Sequence, residues 1–80
     1  MADIALSPAQ RRKIKRAVTA LNEVRLELQT DNPDYDINWY LEDTSNLNLM
    51  EESSHGHDGS PQHDKVIESF YLDNAGGGGW

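Results

Sequence analysis

Residues 7–29 read SPAQRRKIKRAVTALNEVRLELQ, and this run decides the fold. Ser7 stands where a helix N-cap would, with a hydroxyl that can accept a first-turn backbone N–H. Pro8 follows at the first helical position, where its missing N–H costs nothing, and Gln10 completes a capping box with Ser7. Ile14, Val18, Leu21, Val24 and Leu28 then recur at spacings of four, three, three and four, with Ala17 widening the stripe. That is one face of a helix about six turns long. Thr30-Asp31-Asn32-Pro33 ends it, because the residue before a proline is pushed out of the α region. The remaining chain is expected to cover the apolar stripe.

Downstream the period changes to two. Tyr35, Ile37, Trp39 and Leu41 alternate with Asp36, Asn38, Tyr40 and Glu42, which is strand alternation with aromatic and β-branched enrichment. Asp43-Thr44-Ser45-Asn46 is a turn signal. Leu47 and Leu49 alternate with polar neighbours and predict a second short strand, although one long bulged strand over 37–51 fits the same pattern. Residues 53–64 hold serine, glycine, proline, histidine and aspartate without a large apolar side chain, and predict a mobile loop. Residues 65–72 predict a further strand, with Val66, Glu68, Phe70 and Leu72 on one face and Ile67, Ser69 and Tyr71 on the other. The expected fold is therefore α+β, one long N-terminal amphipathic helix packed on a small two- or three-stranded antiparallel sheet. It spans residues 1–75 as one domain, followed by a Gly-rich tail, 76–80, that ends in Trp80. The exposed edges of so small a sheet leave a homodimer through edge pairing open to it.

At 80 residues the chain supports one small core. It has no cysteine, so no disulfide framework or thiolate metal site can staple it. The start of the chain is too short and polar for a signal peptide, and no run reaches transmembrane length, so a cytoplasmic location without membrane contact is expected. The net charge of -7 is unevenly spread. Residues 1–30 hold six cations and three acids, whereas residues 31–80 hold eleven acids and a single lysine, Lys65. Arg11, Arg12, Lys13, Lys15 and Arg16 crowd the positive end of the helix dipole, an unfavourable placement. Ion pairs with the acidic half, and with Glu23 and Glu27, are expected to compensate. A phosphate-binding patch is disfavoured by the missing aromatic interleaving and by the net acidity, so no direct nucleic-acid contact is expected.

His55, His57 and His63, with Asp58 and Asp64, match no standard metal-ligand spacing, and no metal or other cofactor is expected. Serine, histidine and aspartate fall near one another there too, but in the loosest part of the chain and without a nucleophile elbow, so the protein is not expected to be an enzyme. Asp31, Asp34, Asp36, Glu42, Asp43, Glu51 and Glu52 are better candidates for function, because carboxylates spaced along strands can imitate a row of phosphates. The expected partner-binding set is Asp34, Asp36, Glu42, Asp43, Glu51, Glu52 and Trp80. Trp80 acts in that set as an aromatic anchor on a glycine tether. The expected partner is a protein with a basic surface, blocked by a small acidic inhibitor of the kind carried by phages and mobile elements, including anti-defence proteins that mimic nucleic acid. The alternative is a precursor peptide, with a helical recognition region and a C-terminal segment modified by a partner enzyme.

Overall fold

The structure is a computed structural model and describes residues 2–56 and 58–79. Its elements are helix α1 (Pro8–Asp31), strands β1 (Asn38–Leu41), β2 (Asn46–Met50) and β3 (Val66–Tyr71), and a single 3₁₀ turn, His63–Lys65, leading into β3. The strands form one antiparallel meander in the order β1-β2-β3. The architecture is α+β with three strands, and the two-strand and single-bulged-strand alternatives fall away.

The ends of α1 follow from the local sequence. The Gln10 N–H donates to Ser7 Oγ at 3.1 Å, and the Ser7 N–H donates back to Gln10 Oε1 at 2.9 Å. This reciprocal pair satisfies donors that the first turn would otherwise leave bare. At the other end Asn32 donates to the Leu28 carbonyl through both its backbone N–H and its side-chain Nδ2, each at 2.9 Å.

The β1–β2 connection turns at Ser45, whose φ of 68° lies in the left-handed region. Its conformation is held from outside the turn. The Ser45 carbonyl accepts from the Leu72 N–H and its hydroxyl donates to the Ala75 carbonyl, both at 2.9 Å. Between β2 and β3 the register slips at Leu49/Met50: Leu49 faces Glu68 while Met50 faces Val66. Ile67 is the extra residue of this bulge, and the slip turns it towards the side of Phe70, not the opposite side that strict alternation predicts.

Burial is divided between the two faces of the sheet and does not follow the apolar pattern. Cross-strand partners share a face, so Trp39, Leu41, Leu47, Leu49 and Phe70 lie on the side towards α1. Tyr40, Glu42, Asn48, Met50 and Ser69 lie on the other. Met50 and Asn48 on that second side are fully enclosed, and among the described residues only Ile37 and Leu49 join Met50 as buried apolar residues. Asn48 is satisfied there: Nδ2 donates to Glu42 Oε1 and to the Tyr40 carbonyl, each at 3.3 Å, and Oδ1 accepts from the Ser69 hydroxyl.

The helix is long for this sheet. Its 24 residues span about 36 Å, whereas strands of four to six residues span about 13–20 Å. The radius of gyration is 14.8 Å, against about 11.6 Å for a compact chain of this length. The first half of α1 overhangs the sheet, and all of residues 8–20 are exposed.

Stability should therefore depend on the side of the sheet facing away from α1. Met50→Ala is expected to cost about 2–5 kcal/mol in urea unfolding, and Asn48→Ala, which strands Glu42 and Ser69, about 1–3 kcal/mol. Leu26→Ala, at a position 62% exposed, should stay within about 0.5 kcal/mol.

Candidate protein-docking face

Two contacts fix α1 over the β1 side of the sheet. The Trp39 indole N–H donates to the Leu21 carbonyl at 3.2 Å. Further along, Gln29 clamps the chain that enters β1: its Oε1 accepts from the Ile37 N–H at 3.0 Å, and its Nε2 donates to the Tyr35 carbonyl at 2.7 Å. Nothing in the sequence pattern distinguishes Gln29, a polar residue in a polar helix end, and only the fold gives it this role.

Because the helix is held over β1, the β3 side of the same sheet face is uncovered. An open groove of about 530 Å³ runs there, walled by Leu21, Val24 and Leu28 of α1 and floored by Trp39, Leu47, Leu49, Ile67 and Phe70, with Glu68 at its rim. The Trp39 and Phe70 rings sit 6.3 Å apart at 60° across the floor. Val24, Ile67 and Phe70 are each more than two-fifths exposed. The apolar stripe of α1 runs on beyond the groove through Val18 and Ile14, both about half exposed, to Leu6. The sequence identified the stripe but implied that it would be covered. Only Leu21 and Leu28 of it are partly covered, because three short strands reach no further.

The expected acidic set divides into three. Asp36, Glu51 and Glu52 meet through the backbone at one end of the sheet, with Asp34 exposed two residues earlier. The Asp36 N–H donates to the Glu51 carbonyl at 3.1 Å, and Asn38 Nδ2 donates to the carbonyls of Asp36 and Glu52 at 2.8 and 3.1 Å. Asp43 lies exposed at the opposite end, in the β1–β2 turn. Glu42 is withdrawn from any such face: it is 6% exposed, and its carboxylate accepts from Asn48. The period of two explains this, since Glu42 shares the side of Tyr40 and Asn48. Trp80 lies outside the described residues.

The cations of the first helical turns are all exposed, and among the described residues none of Arg11, Arg12, Lys13, Lys15 and Arg16 forms an ion pair with a carboxylate. The expected internal compensation is therefore not made, because the overhang carries these side chains beyond the acidic part of the chain. Arg25 has one guanidinium nitrogen, Nη1, enclosed without a hydrogen-bond partner.

The loop and tail are built from backbone bonds. In the loop Gly56 N–H donates to Ser60 O at 2.8 Å, and Gln62 N–H donates to Ser54 O at 2.9 Å. Asp58 Oδ1 accepts from both the Ser60 hydroxyl and the Ser60 N–H, and these bonds, the hydroxyl first, hold its carboxyl below the ordinary 3.8. The His55 ring accepts or donates at Ser54 Oγ, 3.0 Å away, and stands edge-on to Tyr40. Among the described residues no three His, Asp or Glu side chains converge as metal ligands; His57 lies outside those residues. The tail runs beside β1: Gly78 N–H donates to Leu41 O at 3.0 Å and Gly78 O accepts from Asp43 N–H at 2.9 Å. A Cβ on Gly77 would sit 2.2 Å from the Leu41 carbonyl oxygen, so only glycine fits. Among the described residues no helix is long and apolar enough to cross a membrane.

Comparison with family models, with curated proteins and with solved structures finds no match to this chain.

Two measurements probe these features. Gly77→Ala should abolish hydrogen-exchange protection at the Asp43 and Gly78 amides, while Gly76→Ala, with open space around its Cβ, should preserve it. Ser60→Ala should raise the Asp58 carboxyl towards 3.8 in an NMR titration. Because the folded value is depressed, this carboxylate supports the loop above its unfolded value, and the support is lost as pH falls through the folded one. Ser60→Ala should weaken that acid dependence, leaving the part held by the Ser60 N–H.

Proposed function

We propose that the protein is a non-enzymatic protein-binding module of the cytoplasm, an inhibitor that docks on a larger, basic-surfaced protein. The observation that carries this reading is the open apolar groove beside α1, where Val24, Ile67 and Phe70 are exposed and Trp39 and Leu47 are half-buried. Contiguous exposed apolar surface with a polar rim marks an interaction site more often than any catalytic one. Trp39 and Phe70 also supply aromatic contact area, from which much interface energy comes. The backbone pairing that brings residues 36 and 51–52 to one end of the sheet, with Asp34 two residues before, supports the choice of a basic partner. A cationic partner surface would be steered towards this acidic end of the sheet. The precursor-peptide reading gains no comparable support, since Gly77 and Gly78 are seated against β1, where a modifying enzyme would have to dislodge them.

Affinity capture with four baits tests the proposal: the full chain, Phe70→Asp, the quadruple neutralised variant (Asp34→Asn, Asp36→Asn, Glu51→Gln, Glu52→Gln), and the chain ended after Asn74. The full chain should retain a stoichiometric basic partner that Phe70→Asp loses. The quadruple variant should bind it more weakly and with a flatter salt dependence. Capture indifferent to Phe70→Asp and to the four neutralisations would sink the proposal, and capture lost only on truncation would transfer the function to the tail.

A further inference from the structure

We propose that the groove between α1 and β3 is filled by the N-terminal half of α1 from a second copy of this chain, each copy roofing the other. The inference rests on reading the groove as a docking face and names its occupant.

Each half of the molecule lacks what the other offers. The groove has a floor and one wall, with Ile67 and Phe70 open on the far side. The overhanging half of α1 has an apolar stripe of Ile14 and Val18, extended by Leu6 just before the helix, and no sheet beneath it. An amphipathic helix laid in an apolar groove is a common recognition mode, and Ile14 and Val18 stand at the i, i+4 spacing of its anchors. Here both components belong to one chain.

Charge selects the same occupant. Residues 8–20 hold five cations and no acid. The groove rim carries Glu68, within a segment, 31–80, where acids outnumber cations by ten. On a helix Arg11 and Lys15 lie one turn apart, on the flank beside Ile14 and Val18. When that stripe enters a partner groove, this flank is the one positioned to meet Glu68. The cations that find no carboxylate among the described residues of their own chain thus find one in the second copy.

The surface area is also sufficient. The chain exposes 6136 Å², whereas a compact monomer of its mass exposes about 4,850 Å². The surplus of roughly 1,300 Å² exceeds the ~800 Å² that each partner contributes to a standard interface. Helix into groove and groove onto helix is a reciprocal exchange, so the assembly closes at two copies.

Sedimentation and cysteine pairing test it. The wild-type chain should sediment at twice its 9.0 kDa mass. Arg11→Glu with Lys15→Glu should weaken the dimer by about tenfold or more, and adding Glu68→Lys should restore it to within about threefold. Circular dichroism of each variant shows that the helix persists. The chain has no cysteine of its own, so Ile14→Cys chains mixed with Phe70→Cys chains should yield a mixed disulfide under mild oxidation. A monomer at high micromolar concentration, an open-ended series of polymers, or disulfides confined to Ile14→Cys chains overturns the inference. A monomer that still captures a heterologous protein through Phe70 overturns it and leaves the binding-module reading intact. A dimer that captures nothing upholds it and removes that reading.

Discussion

The structure depends on where α1 is held. Two side chains set its position: Trp39, through the Leu21 carbonyl, and Gln29, through the chain entering β1. Both anchors lie over β1, and both engage the second half of the helix. An isolated helix of this length is marginal in water, so these contacts and the few apolar ones beside them stabilise it. Their placement has a geometric consequence. A helix centred over β2 would have covered the sheet face and left no groove. A helix pinned to β1 leaves β3 bare and sends its own first half beyond the sheet.

The same constraint explains why part of the enclosed core lies on the polar side of the sheet. With α1 displaced, the apolar side cannot close over Phe70 and Ile67. The opposite side is closed instead by His55 against Tyr40 and by the tail beside β1. Asn48 and Glu42 are tolerated there because each has a partner, Glu42 through Asn48 and Asn48 through Ser69 and the Tyr40 carbonyl. Unpaired, either would carry a desolvation penalty that so small a core has little capacity to offset. The glycines of the tail belong to this closure, since a side chain at residue 77 would collide with the Leu41 carbonyl.

The helix, its cap, the three strands and the turn at 43–46 were legible because each is signalled by neighbours in the chain. The capping box is a three-residue pattern, and strand alternation needs only period two. What was not legible is set by distance. The bulge at Ile67 comes from the register between two strands, which one strand's own pattern does not encode. Glu42 reads as one more surface acid until the pleat assigns it a side. The tail reads as a free tether because backbone pairing leaves no mark on a run of glycines. The groove itself was foreshadowed only as an apolar stripe, and its openness depends on a ratio of lengths, 24 helical residues over strands of four to six.

The cations of the first helical turns bring these points together. Five positive charges at the positive end of a helix dipole oppose it by a few tenths of a kcal/mol each. A single chain offers them no relief, because the overhang that exposes them also separates them from the acidic strands. The stripe they flank is left uncovered by the same overhang. Surface cations alone would be unremarkable, as would one exposed valine. Both liabilities fall on the same two turns of one helix, opposite a groove that is apolar in its floor and acidic at its rim. Any occupant of that groove must be apolar on one face and basic on its flanks, and residues 8–20 of this chain have that composition.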